Sequence, residues 1–201
     1  HTAYRRQRQM CIRDRDNTSK GVRNKMSNKD LSLSVFTKEN YKNLNHTATN
    51  FRNSMYDELE VNKGRFKNCN FDEGIFKNIN AISNSKVVNS SMNDCIFEQV
   101  NFYKNLFKKI SFENTTFDET TINNTIFQDV VFDGNTFSEV KITDTVFKNV
   151  VFKKTEISNS TFENIKLKHC VFDHVTFKNC SLPKNIEEEL KKQNVVFENI
   201  Q

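Results

Sequence analysis

The chain has 201 residues, 27% of them charged, with 19 phenylalanines, one proline, four glycines, five cysteines and no tryptophan, and its mean hydropathy is -0.70. No run approaches the roughly 18 apolar residues that a bilayer-crossing helix needs, and no apolar segment follows the basic N-terminus, so neither a membrane span nor a secretory signal is expected and the cytoplasm is the expected location. The formal net charge of +5 is unevenly placed: residues 1–50 carry 11 Lys+Arg against 4 Asp+Glu, and residues 51–201 carry 19 against 21, which leaves no global basic signature for nucleic-acid binding outside the head.

In chain order, residues 1–25 form that basic head. HTAYRRQRQMCIRDR resembles a translated sequencing-adapter scar, and Met26 opens a stretch, MSNKDLSLSVF, that would make a natural start. The head is therefore expected to be non-native or disordered. Residues 26–50 read as an N-terminal cap or irregular first repeats: Phe36 and Tyr41 keep a five-residue beat, but His46 would then take a central position. From Phe51 the beat continues through Tyr56, Val61, Phe66, Phe71 and Phe76, and after one extra residue it resumes at Ile82. All 21 positions from Ile82 to Leu182 at this spacing are apolar, in a chain that is only 36% apolar.

A helix spreads every fifth residue around its circumference, and a strand alternates odd spacings between its faces, so neither element buries this pattern. A backbone that makes one short extended side and then turns a corner does bury it. Residues two apart on a side share a face, so the residue two before each centre also points inward, where space is tight. Those residues, from Cys95, Val100 and Asn105 to Val175 and Cys180, are all small or medium and uncharged. The residue two after each centre falls at the corner, and Asp94, Asn114, Asn124, Asp129, Gly134, Asp144, Asn149, Asn159, Asn164 and Asn179 stand there. These residue types tolerate left-handed backbone. Just before the centres, Leu106, Ile126 and Val146 recur at a spacing of 20, as do Val131, Val151 and Val171, which favours four sides per coil over three.

An apolar ring at the centre, a small residue two before it and an unbroken period of five resemble the pentapeptide repeat family in its phenylalanine-centred form. The resemblance covers residues 51–182, with Thr and Val in place of Ala at many inward positions. It implies an all-β, right-handed quadrilateral parallel β-helix of about 20 residues per coil, here expected to hold six to seven coils. One coil buries too little to stand alone, so stability accumulates with stacking.

Residues 183–201 break the beat with Pro183. Ile186 and Leu190 are four apart, and Glu187 to Glu189 precede Lys191 and Lys192, which predicts a short capping helix suited to its own dipole. VVFENI then returns to the beat as a terminal strand. The same helix could instead pair two chains, as C-terminal helices do in some members of the family.

Residues with chemical potential do not assemble into a recognisable site. Cys69, Cys95, Cys170 and Cys180 all precede a centre by two and read as interior fillers, and Cys11 lies in the head. His169 and His174 fall at adjacent corners without a third ligand, so no metal site is expected. With no phosphate loop, no nucleophile triad and no paired carboxylates in a cleft, neither catalysis nor a cofactor is expected. The outer face is more informative. Leu106, Ile126, Val146, Val131, Val151 and Val171 would form an apolar stripe that reads as a partner surface. Lys108, Lys109, Lys148, Lys166, Lys168 and His169 flank it, and Glu98, Asp118, Glu119, Glu139 and Glu156 lie opposite. The leading expectation is a non-enzymatic protein-interaction scaffold, with a homodimer among its possible assemblies. The resemblance implies an alternative, since some family members imitate duplex DNA and bind type II topoisomerases, protecting DNA gyrase from quinolones. Direct nucleic-acid binding is disfavoured because the lysine-rich side lacks interleaved exposed aromatics apart from Tyr103.

Overall fold

A computed structural model describes residues 25–201. The expectations for the basic head and for Cys11 lie outside the described residues, apart from Lys25. The chain winds as a four-sided parallel β-solenoid of about 9 turns with one short helix near the C-terminus. Each side is a strand as short as three residues, such as Thr116–Asp118 or Val131–Asp133, paired in parallel with the strand 20 residues later. Thr116–Asp118, for example, lies on Thr136–Ser138 with Phe117 over Phe137.

Four sides are named here by their central columns. Side one carries Phe97, Phe117, Phe137, Ile157 and Phe177; side two carries Phe102, Ile122, Ile142 and Phe162. Side three carries Phe107, Phe127, Phe147 and Leu167, and side four Phe112, Phe132, Phe152 and Phe172. Almost all of these side chains are fully buried, Leu167 being half-buried. Within a column the rings lie nearly parallel, with centroids 4.6 Å apart for Phe117 and Phe137 and 5.3 Å for Phe127 and Phe147. Rings on neighbouring sides meet edge to face, as do Phe112 and Phe117 at 5.6 Å and 60°. Both arrangements suit the aromatic quadrupole. Each buried ring contributes roughly 2–3 kcal/mol from area alone.

The corner prediction holds in detail. Every corner residue expected from the sequence has a left-handed backbone, with φ between 49° and 68°. Corners occupied by Lys104, Lys109, Glu119 and Lys154 adopt it too, although it costs a residue with a Cβ roughly 1–2 kcal/mol. The adjacent coils impose the turn by taking up its backbone hydrogen bonds, as when the Asn124 N–H donates to the Thr143 carbonyl at 3.1 Å. At the corners where Asn or Asp stand, side chains add a second ladder. Asn149 Nδ2 donates to Asp129 Oδ1 at 2.9 Å, and Asn199, Asn179 and Asn159 form a continuous amide chain.

The inward small residues provide partners for buried backbone groups. Asn135 is 1% exposed; its Oδ1 accepts the Thr115 N–H at 2.7 Å and its Nδ2 donates to the Phe112 carbonyl at 3.0 Å. Asn105 makes the same bridge between Ser85 and Ile82. Inward threonines donate to carbonyls near them, as Thr145 does to Thr143 at 2.8 Å.

Three features go beyond the expected outline. The beat runs through residues 26–50: Phe36 lies on Tyr56, Tyr41 on Val61 and His46 on Phe66, which with the terminal strand raises the coil count above six to seven. His46 is buried, stacked on Phe66 at 5.7 Å and edge-on to Phe51 at 5.0 Å. The extra residue near Asn80 is a β-bulge, because Val100 pairs with Ile79 but Phe102 pairs with Ile82. It is absorbed within the ladder, so no loop projects there. Finally, an axial cavity of about 100 Å³ is lined by the first coils, where His46 and Val87 on side three and Val61 on side two stand in the columns that carry Phe107 and Phe102 further up. Smaller side chains on two sides leave space that a full set of phenylalanines would occupy.

The last coil departs from the pattern. After Leu182, helix α1 (Lys184–Leu190) takes the place that strands on sides three and four would hold, burying Ile186 and Leu190. The chain then rejoins side one as Asn194–Glu198, with Phe197 over Phe177. The apolar top of the stack is thereby covered without another pair of exposed ladder edges.

Candidate interaction surface

On each side, the residues immediately before and after the centre point outward. Parallel register therefore converts the sequence spacing of 20 into straight external columns. Side three brings Leu106, Ile126 and Val146 into one such column, with Lys86 below and Lys166 above. Side four brings Val131, Val151 and Val171 into another, continuing below as Ser111. Ile126, Val131 and Val171 are exposed, and Leu106, Val146 and Val151 are half-buried. The two columns lie on adjoining sides across the corner held by Lys109, Asp129, Asn149 and His169.

Charge is sorted by side. Side three presents Arg65, Lys67, Lys86, Lys108, Lys109, Lys148, Lys166 and Lys168 against the single acid Asp129. The Asn149 hydrogen bond holds the Asp129 carboxyl below the usual carboxylate range, aided by Gln128 and by the nearby Lys108 and Lys109. None of the ion pairs among the described residues involves a side-three cation. They lie on other sides or on the helix: Lys77 with Glu98 at 2.6 Å, Lys153 with Asp133, Lys178 with Glu198, Arg52 with Glu73 and Lys191 with Glu187. Sides one and four carry most of the carboxylates, including Glu98, Asp118, Glu119, Glu139 and Glu156 on side one. The transverse charge separation inferred from the sequence is thus present, and it extends further down side three than the lysines first singled out, to Lys86, Lys67 and Arg65.

One external column escaped the sequence reading. Val35, Met55, Ile75 and Ile96 stack on side one, and Val35, Met55 and Ile96 are exposed. The spacing of 20 would have revealed the first three, but the bulge makes the step from Ile75 to Ile96 one residue longer and hides the fourth.

The interior offers little chemistry. Cys69, Cys95, Cys170 and Cys180 occupy the inward positions expected and are free thiols. Burial pushes the Cys95 thiol up to about 12 and raises the other three, which suppresses the reactive thiolate. His174 Nδ1 lies 2.7 Å from Asp173 Oδ1 at an exposed corner, while His169 stands at a different corner. Among the described residues no cluster of His, Cys, Asp and Glu could hold a metal ion, and no helix is long and apolar enough to cross a membrane.

Coils of four three-residue sides, left-handed corners every fifth residue and stacked rings on a common axis define a pentapeptide-repeat β-solenoid. Residues 85–162 match the family described as Pentapeptide repeat region. Two structures of trypsin-treated QnrB1, a plasmid-mediated fluoroquinolone resistance protein, share the fold. One aligns at a TM-score of 0.56 with 16% identity over 88% of this chain and 87% of that one; the other aligns at 0.54 with 15% identity over 88% and 89%. HetL, a pentapeptide repeat protein involved in heterocyst differentiation regulation from the cyanobacterium Nostoc, aligns over 90% of this chain and 87% of its own at 8% identity. Its TM-score of 0.33 is too low for comparison of details. A sequence search among curated proteins gave no match.

Proposed function

We propose that this chain is a non-enzymatic, cytoplasmic scaffold that engages a protein partner through the outer face of its ladder. The observation that carries this reading is the apolar stripe of Leu106, Ile126, Val146, Val131, Val151 and Val171 beside lysines that have no carboxylate partner. An apolar centre with a polar rim has the anatomy of a protein interface. The rod offers rigid, regularly spaced rungs and, among the described residues, no cleft with convergent polar groups, an arrangement suited to presentation rather than to bond making. In the test, tagged wild-type protein captures its partner from the native host, and Val131→Lys with Val151→Lys loses it while the circular dichroism spectrum is unchanged. Undiminished capture by the variant would remove the stripe from the interface.

A second reading, modulation of a type II topoisomerase such as DNA gyrase, draws on two observations. One is the fold shared with QnrB1. The other is the carboxylate-rich edge between sides four and one, where Asp72, Glu73, Asp94 and Glu113 follow one another up the rod. Arg52 interrupts that edge by pairing with Glu73, which weakens the analogy to a phosphate backbone. A supercoiling assay with purified protein, with and without a fluoroquinolone, decides this reading: no change in either condition eliminates it.

A further inference from the structure

Two external columns of this rod are complementary to each other. On side one, Val35, Met55, Ile75 and Ile96 form an apolar ladder bordered by acids, Asp57 and Glu98 along one margin and Glu73 and Asp94 at the corner on the other. Three cations of that region pair with three of its acids, Lys77 with Glu98, Lys38 with Glu58 and Arg52 with Glu73, so the uncompensated charges it presents are the carboxylates of Asp57 and Asp94. On the opposite side, side three, Leu106, Ile126 and Val146 form the second apolar ladder, bordered by Lys108 and Lys148 and continued by Lys86 and Lys166, all without ion pairs. Because both ladders belong to one continuous parallel stack, their rungs have the same axial spacing. A column on one rod can therefore seat on the other rung by rung, which two unrelated surfaces would not guarantee.

We infer that the occupant of the lysine-bordered ladder is a second copy of this chain, docked through its acid-bordered ladder on side one. This rests on the scaffold reading above and supplies its partner. The contact joins two different patches, so it is heterologous. Each docked copy still offers its own side three, and the side one of the copy that received it remains free at the other end of the row. The two ladders also sit at different heights, the acid-bordered one in the lower coils and the lysine-bordered one in the middle coils, so neighbours are staggered along the axis. Association then continues into a row of rods instead of closing as a symmetric pair. Apolar rungs supply the contact area, and the opposed charges set side and register and suppress like-with-like docking.

The test uses the full chain in sedimentation velocity across protein concentration, at about 0.05 M and about 0.5 M salt, where screening of surface charge differs strongly. Wild type is expected to gain mass with concentration and to lose association at the higher salt. Lys108→Glu with Lys148→Glu disables side three, and Met55→Lys with Ile96→Lys disables side one; all four residues point outward, and circular dichroism checks the fold. Each variant alone is expected to associate at least about tenfold more weakly. Mixed in equal amounts, the two variants should form a 1:1 complex that grows no further, because each retains the face the other has lost. A wild type that stays monomeric, an association that either variant leaves intact, or a mixture that stays monomeric each overturns the inference. A monomeric wild type that retards duplex DNA, with retardation lost in Lys108→Glu with Lys148→Glu, overturns it in favour of a nucleic acid. Loss of host-partner capture in the Val131 and Val151 variants is read independently, so failure of self-association leaves the scaffold reading standing.

Discussion

Replacing Asn135 by Val tests how the solenoid tolerates polar residues on its axis. Asn135 is buried in the middle coils and bridges two peptide groups, accepting from the Thr115 N–H at 2.7 Å and donating to the Phe112 carbonyl at 3.0 Å. Valine fits the inward position, as Val130 and Val140 show by their complete burial, so the substitution removes hydrogen bonds without gross overpacking. Two buried groups lose their side-chain partner at about 1–3 kcal/mol each, partly offset by about 1 kcal/mol of added apolar burial. The net expectation is a destabilisation of about 1–5 kcal/mol. Asn135→Thr is the discriminating control. Thr115, one coil away on the same side, accepts the Cys95 N–H at 3.3 Å and donates to the Met92 carbonyl at 2.7 Å, so a hydroxyl can make the same bridge and should cost less than about 1 kcal/mol. Urea unfolding followed by far-ultraviolet circular dichroism gives both values, with an unchanged m-value confirming that the same surface unfolds. If Val and Thr variants differ by less than about 0.5 kcal/mol, the bridge contributes nothing and the reasoning fails.

His46 sits among rings with an unpartnered Nδ1, and burial lowers its pKa below the ordinary histidine value. The unfolded chain therefore takes up the proton first: stability is full above about pH 6.5 and declines below it, at no more than about 1.4 kcal/mol per pH unit for one proton, until the folded pKa is passed. His46→Phe should flatten that slope in unfolding curves measured between pH 5 and 8, and an unchanged slope would place its origin elsewhere. Lys154 holds a left-handed corner at φ 47°, and Lys154→Gly should raise stability by about 0.5–1 kcal/mol by relieving Cβ strain; destabilisation would contradict this. Gly74 has the opposite constraint, because a Cβ there would lie 2.8 Å from the Phe71 carbonyl oxygen and 2.9 Å from the Phe76 ring. Gly74→Ala is expected to cost about 1–3 kcal/mol in the same unfolding assay, and a neutral result would show that the coil yields there.

Much of the architecture was legible in the sequence because it repeats one local rule. An apolar centre every fifth residue, a small residue two before it and a turn-tolerant residue two after it are properties of a single quintet, and a backbone that obeys the rule once obeys it at every repetition. That is why the inward columns, the left-handed corners and the ladder of Leu106, Ile126 and Val146 follow from spacing alone. The helix over residues 184–190 was equally readable from Pro183, Ile186 and Leu190.

What only the tertiary structure decided are relations between coils. Whether His46 could occupy a central position depended on Phe51 and Phe66 offering ring faces to it. Whether the extra residue would make a loop or a bulge depended on the register across Val100 and Phe102, and that choice aligned Ile96 with Ile75. Which lysines are neutralised depended on side chains one coil apart: Lys77 reaches Glu98, whereas Lys108 and Lys148 form no ion pair among the described residues. A five-residue rule fixes where each side chain points. It does not fix what stands 20 or 21 residues away on the neighbouring rung, and the charge and apolar surfaces of the rod are set by those neighbours.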